Sequence, residues 1–228
     1  MIYLVIFFIS LFIGNIFTIF SMRLLYSTTG YSKYNLKLKL EYLIPLLNFK
    51  NIEKLDKEIN GKLRKSLILS YFLIFLSLIV FKHHINDENI VIYTILLCCL
   101  IISSITDIID RVMEVKSFTL VSVIVLLIRI FNFKESSYYF ISVFILFILF
   151  YLLYIVTKGK SIGGGDIKLI LLIGLSLGIE KTLISLFISS LIAFVCLLPL
   201  IINNKADLYT EIPFIPYITL GIIINYYI

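Results

Sequence analysis

The chain is too apolar and too poor in charge for an ordinary water-soluble domain. Of its 228 residues, 61% are apolar and 15% are charged, and the mean hydropathy is +1.07. Globular chains carry roughly 25% charged and about 45–50% apolar residues. The 19 Phe and 15 Tyr exclude a disordered chain. The unbroken apolar runs also argue against a β-barrel, whose strands alternate in polarity over about ten residues. The composition indicates helices in a lipid membrane.

The net charge of +6 comes from 20 basic and 14 acidic residues. In a soluble protein such a balance points to nucleic acid, but basic residues of membrane proteins collect in cytoplasmic loops. We therefore interpret the basic residues as markers of the cytoplasmic loops, and we expect lipid, not nucleic acid, as the partner.

Eight apolar runs follow one another along the chain. A helix needs about 20 residues to cross a hydrocarbon core of about 30 Å. The first run, Ile2 to Phe20, has no basic segment before it and no small-residue cleavage site, so we expect a membrane helix and not a removed signal peptide. The runs are 2–20, 67–82, 89–106, 118–133, 138–157, 167–179, 182–202 and 213–228. They predict an all-α, polytopic membrane bundle of about eight transmembrane helices.

One long polar stretch, 21–66, separates the first two runs and is rich in lysine. It predicts a cytoplasmic loop of about 45 residues. The chain then divides into residues 1–66, the first helix with this loop, and residues 67–228, a seven-helix core. With eight crossings the N-terminus lies outside, and the segments 107–117, 158–166 and 203–212 face the cytoplasm.

The cysteines and histidines give no metal or disulfide pattern. All three cysteines lie in apolar runs without a CxxC pair, so we expect buried small hydrophobes and no zinc. His83 and His84 lie with Asp87 and Glu88 in a short outside loop. A solvated loop is the favoured interpretation there, and a metal site is the alternative.

Carboxylates at a membrane boundary are costly, and so they are candidates for function. Asp107 and Asp110 follow the third run, and Asp166 opens the sixth. Asp107 and Asp166 emerge on the same predicted face and can meet there. Two carboxyl groups that share a proton form an acid–base pair that can activate water. The alternatives without a catalytic role are a solvated loop acid for Asp107 and a helix N-cap for Asp166.

Three glycines precede Asp166. Gly163, Gly164 and Gly165 permit positive φ and a close approach of a substrate backbone. A carboxylate just after them would lie at a helix start, where anions are favoured. The run is not a phosphate-binding loop, because GxxxxGK[ST] is absent. Serines such as Ser103 lack a well-placed histidine, so a serine hydrolase is not supported.

Five sequence blocks, in order, resemble those of the type IV prepilin peptidases, a branch of the GxGD intramembrane aspartic proteases. They are GNIFTIFSMRL at 14–24, EYLIPLLNF at 41–49, TDIIDR at 106–111, GGGDIK at 163–168 and EIPFIPYITLG at 211–221. This resemblance implies that Asp107 and Asp166 are the catalytic aspartates and that Gly163 and Gly165 shape the substrate-facing backbone. Asp110 is the less favoured partner, since it aligns three residues past the family aspartate.

The resemblance further implies cleavage of a type IV prepilin or pseudopilin leader on the cytoplasmic side of the cell membrane. Many members also methylate the new N-terminus with S-adenosylmethionine, and Glu41 and Pro45 in the first-loop block keep that activity open. The paired CxxC motifs of many members are missing, so zinc is not expected. Val112-Met113-Glu114 replaces the family's I-P, and Ile215 replaces its second glycine in the last block.

Two alternatives stay open from the sequence. Another GxGD protease, of the presenilin or signal-peptide-peptidase type, would carry a Y-D block, whereas Thr106 precedes Asp107 here. A transporter or assembly scaffold would use the aspartates for cations or ion pairs, but we see none of the internal repeats that transporters often carry.

Overall fold

The computed structural model describes residues 2–29, 57–87, 89–131, 136–159, 162–203 and 212–228. Within these ranges the chain is helical and contains no strand, which confirms the predicted all-α class. The helices are α1 (Ile2–Thr29), α2 (Lys57–His83), α3 (Ile90–Asp110), α4 (Val115–Phe131), α5 (Ser136–Val156), α6 (Gly164–Leu177), α7 (Ile179–Ile202) and α8 (Ile215–Tyr227).

In the described part of the chain, five helices are long and apolar enough to cross a membrane, namely α1, α2, α3, α5 and α7. A sixth, α8, is apolar but shorter. The most apolar stretches of α5 and α7 are only 17% buried, while that of α3 is 72% buried. Such exposure of Phe, Ile and Leu is stable in lipid and not in water. The chain is therefore a multi-pass membrane protein built around α3.

The first two helices extend further than their apolar cores. The first run was predicted over 2–20 and α1 continues to Thr29, while α2 begins at Lys57, ten residues before the predicted run. Part of the polar stretch 21–66 is thus helical, because hydropathy marks where lipid ends and not where the helix ends. Residues 30–56, with the predicted block at 41–49, lie outside the described residues.

Small side chains let the helices pack closely, as is usual in membranes. A Cβ at Gly14 of α1 would collide with the ring of Tyr71 in α2. A Cβ at Gly221 of α8 would collide with Ser185 and Ser189 of α7. These close approaches bring backbones together where branched side chains would keep them apart.

The central helix α3 contacts α1, α2, α4, α6 and α8. Its core side chains include Tyr93, Leu96, Leu100 and Ile105, all fully buried. The end of α3 therefore lies inside the bundle, where a polar side chain is surrounded by other helices and not by lipid.

Candidate active site

Asp107 lies in the last turn of α3 and is 8% exposed. Ser103, Ser104 and Thr106, just before it, are fully buried as well. The helix ends when Arg111 adopts a left-handed conformation with φ 56°. The interpretation of Asp107 as a solvated loop acid is therefore wrong.

The carboxylate of Asp107 caps the N-terminus of α8. Its Oδ2 accepts a hydrogen bond from the Ile215 N–H at 3.1 Å, and the Phe214 N–H contributes a second one. The first N–H groups of a helix have no partner within the helix, and Phe214 at the N-cap offers no side-chain acceptor. Asp107 supplies that acceptor from another helix, and the positive end of the α8 dipole favours its charge.

A second polar contact between α3 and α8 lies one turn away. The hydroxyls of Ser104 and Thr219 are 2.9 Å apart and both are buried. The last sequence block was recognised by resemblance alone, without a role. The structure gives this block a role, because its Ile215 N–H binds the carboxylate of Asp107. The sequence did contain a signal for such a partner: α8 begins with Pro216 in its first turn and has no capping side chain of its own.

Asp166 occupies the first turn of α6 and is half-buried. The N-cap is Gly163, so the N-cap interpretation of Asp166 is wrong by three residues. The Gly163 backbone N–H donates to the Asp166 carboxylate. A side chain at N3 that reaches back to the N-cap N–H is one half of a capping box.

The glycines before Asp166 do not use positive φ. Gly163 is extended, with φ −75° and ψ 149°, and the positive-φ glycines among the described residues are Gly159 and Gly178. A Cβ at Gly163 would lie 3.3 Å from Oδ2 of Asp166, whereas one at Gly164 would meet nothing within 4 Å. Gly163 is therefore small to admit Asp166, and Gly164 leaves open space above the site.

The structure brings the two aspartates together at one end of the bundle. The charge of Asp166 acts on Asp107, as does the opposite charge of Arg111. A Cβ at Gly165 would lie 3.7 Å from the Cβ of Met113, so the α3–α4 turn packs directly on the glycine turn. Asp110 is only half-buried, and it is Asp107 whose carboxylate meets α8.

Glu114 is a buried acid that the sequence did not single out. It is 2% exposed, and its Oε2 accepts a hydrogen bond from the Ser117 N–H at the start of α4. Its Oε1 is buried without a hydrogen-bond partner among the described residues. Glu114 belongs to the Val112-Met113-Glu114 segment that replaces the I-P of the family pattern, and its carboxylate caps the N-terminus of α4.

The described residues contain no group of three or more His, Cys, Asp or Glu side chains that could hold a metal ion. The rings of His83 and His84 instead pack edge-on against Tyr227 and Tyr226. S-adenosylmethionine binding stays a prediction, since the block that suggests it lies outside the described residues.

Comparison with protein families gives one match, to the type IV leader peptidase family over residues 94–198. Comparison with curated proteins and with solved structures gives no match. The matched segment runs from α3 into α7 and contains both Asp107 and Asp166. This match confirms the resemblance to the type IV leader peptidase family over residues 94–198, which contain the sequence blocks at 106–111 and 163–168.

Proposed function

We propose that this protein is a membrane aspartic endopeptidase that removes the leader from type IV prepilin or pseudopilin precursors. The family match supports the leader peptidase activity. The observation that carries the aspartic mechanism is that Asp107 and Asp166 both lie in the matched segment and are close enough to interact.

In this mechanism one carboxyl group is ionised and the other carries a proton. The ionised group takes a proton from water, and the water oxygen attacks the scissile carbonyl carbon. The other group protonates the carbonyl oxygen. When the tetrahedral gem-diol intermediate collapses, the C–N bond breaks and the first carboxyl group gives its proton to the leaving amine. The second carboxylate takes a proton back from one hydroxyl of the intermediate as the C=O bond re-forms, so the pair again carries one proton. Like charges at close range favour the singly protonated pair that this cycle needs.

The open side of the site supports a substrate that approaches as extended backbone. Gly163 and Gly164 are exposed, and no atom fills the space where a Cβ of Gly164 would lie. A glycine before the scissile bond of the substrate fits such a bare surface, because neither chain then presents a side chain. The family resemblance assigns substrate binding to Gly163 and Gly165, and the exposure of Gly163 accords with that assignment, whereas Gly165 is half-buried against Met113.

We infer that the site faces the cytoplasm of a multi-pass cell-membrane protein, with the N-terminus outside. The segments at this end of the bundle carry Arg111, Lys116 and Lys158, and the stretch between α1 and α2 is the most basic in the chain. Both features accord with the bias of cytoplasmic loops. The basic stretch and the lipid headgroups would recruit the precursor.

N-methylation of the new terminus is a second proposed activity. The first-loop block with Glu41 and Pro45 is what supports it. A mature product whose N-terminal mass rises by one methyl group only when S-adenosylmethionine is added would establish it.

The deciding experiment is cleavage of a prepilin-like peptide with a basic leader, a glycine at the scissile position and an apolar helix. Asp107→Asn and Asp166→Asn keep side-chain size and remove the titrating proton. Each should lower the cleavage rate at least about a hundredfold, since general acid–base groups contribute about 10²–10⁴-fold. Asp110→Asn is the matched control and should retain activity.

The product identifies the class of protease. Release of the leader just before the apolar helix supports a prepilin peptidase, whereas cleavage inside that helix supports the presenilin-like alternative. Full activity of both Asp107→Asn and Asp166→Asn would contradict the proposed pair, and loss only with Asp110→Asn would shift it by one helical turn.

A further inference from the structure

A buried arginine joins two helix ends far from the aspartates. Arg129, in the last turn of α4, is 3% exposed. Its Nε donates to the carbonyl of Leu175 at 3.2 Å and its Nη2 to that of Ser176 at 2.6 Å. Its Nη1 donates to Oδ1 of Asn89 at 3.0 Å. We refer to Asn89, Arg129, Leu175 and Ser176 as the distal clamp.

The clamp is built for a guanidinium group. The guanidinium carbon of Arg129 lies 3.4 Å from the centre of the Tyr139 ring in α5, a cation–π contact. Burial of a cation in a membrane protein is costly unless its donors are satisfied. A planar fork reaches two carbonyls and an amide oxygen at once, which the single ammonium group of a lysine does not do.

The clamp holds the two helices that carry the aspartates. Leu175 and Ser176 lie in the last turn of α6, whose first turn carries Asp166, and Asn89 is the N-cap of α3, which carries Asp107. Carbonyls at a helix C-terminus lack intrahelical partners and attract a cation. At about 1.5 Å per residue, the aspartates lie about 27 Å from the clamp along α3 and about 14 Å along α6.

Apolar contacts alone specify the axial position of such helices poorly. Lipid chains are as apolar as leucine, so a helix that slides along its axis by part of a turn loses little packing free energy. Polar contacts, by contrast, must be remade at each position. In α6 the far end holds Ser176 in the clamp, whereas the near end is the exposed glycine turn.

We propose that Arg129 is a positioning residue that fixes the axial position of α6 against α3 and thereby the distance between Asp107 and Asp166. Its consequence for cleavage rests on the proposed function, whereas its consequence for geometry does not. The two can be tested separately.

The geometric test uses the rate of disulfide formation to report the distance between the α3–α4 turn and the start of α6. A Cβ at Gly165 lies 3.7 Å from that of Met113, close to the mean of about 3.8 Å in disulfides. Met113→Cys and Gly165→Cys, in a background where the native cysteines are alanine, should cross-link readily under mild oxidation. Arg129→Met should slow that reaction at least fivefold, and Arg129→Lys should give an intermediate rate.

The kinetic test separates positioning from general packing. With the native glycine and methionine in place, Arg129→Met should lower kcat at least tenfold and leave KM within twofold, and Arg129→Lys should restore part of kcat. Tyr71→Phe is the matched control, because it removes a partly buried hydrogen bond to Asn15 between α1 and α2, which carry no aspartate. It should leave kcat unchanged.

Thermal unfolding in detergent identifies the folded variants. If Arg129→Met does not accumulate, Arg129→Lys and Asn89→Ala carry both tests, with a smaller expected effect. An unchanged cross-linking rate in the folded clamp variants overturns the proposal, as does an equal loss of kcat in Tyr71→Phe. If the wild type cleaves no leader peptide but the clamp variants still cross-link slowly, the proposed function is contradicted, whereas the positioning role of Arg129 is supported.

Discussion

Replacement of Gly221 by alanine tests whether the contact between α7 and α8 supports the active site. A Cβ at Gly221 would lie 3.1 Å from the Ser189 nitrogen, and closer still to the Ser185 carbonyl oxygen and the Ser189 hydroxyl. Ordinary contact begins at 3.4 Å. Because backbone atoms do not swing aside, α8 must move away from α7 by about 1 Å.

That movement costs stability and displaces Asp107. Overpacking of this kind costs about 1–3 kcal/mol, which corresponds to a fall in Tm of about 2 to 12 °C for a chain of this size. The N-terminus of α8 holds Asp107 through the Ile215 N–H. A shift of about 1 Å at a reacting group can cost about a hundredfold in rate, and we expect at least a tenfold loss of kcat for Gly221→Ala.

Gly61→Ala is the matched control. Gly61 lies inside α2, and a Cβ there meets nothing within 4 Å. Alanine favours the helix over glycine by about 1 kcal/mol, so this variant should equal or exceed the wild type in Tm and match it in kcat. Thermal unfolding and leader cleavage in the same detergent provide both measurements. Wild-type stability and activity in Gly221→Ala would refute the reasoning, as would an equal loss in Gly61→Ala.

Three further outcomes are expected. Gly174→Ala should lower Tm less than Gly221→Ala, because its Cβ meets the flexible end of Leu146 and not a backbone; an equal fall would contradict this. Burial raises the pKa of Asp87, but hydrogen bonds from a backbone N–H and the Tyr226 hydroxyl outweigh it and hold the pKa below its ordinary 3.8. Its stabilisation is thus present above pH 3.8 and is lost as the pH falls through the lower folded value, so the Tm difference between wild type and Asp87→Asn should shrink on acidification. A cysteine introduced by Lys158→Cys should react with an impermeant maleimide only after the membrane is opened, whereas labelling of intact cells would reverse the proposed orientation.

Among the described residues, the sequence predicted the order of the helices, because each one carries an apolar run that hydropathy detects. It placed their ends less well. Thr29 and Lys57 lie in polar segments that stay helical, and polarity alone does not mark the last hydrogen-bonded turn. The resemblance located both aspartates, and the described fold brings them to one place.

The partners of the aspartates could not be predicted, because they are distant in the chain. Asp107 meets Ile215 across 108 positions, and Arg129 meets Ser176 across 47. Neither contact leaves a local pattern. Gly163 does not use the positive φ that a glycine permits: its backbone is extended, and its lack of a side chain makes room for the Asp166 carboxylate.

The last helix is fastened at both ends. The Ile215 N–H binds Asp107, and eleven residues later the Tyr226 hydroxyl binds Asp87 at 2.8 Å. Eleven residues make about three full turns, so one added residue would rotate one attachment by about 100° and lengthen the helix by about 1.5 Å. The number of residues between Ile215 and Tyr226 is therefore as constrained as the two residues themselves. An insertion or deletion inside α8 would displace the N–H group that binds Asp107.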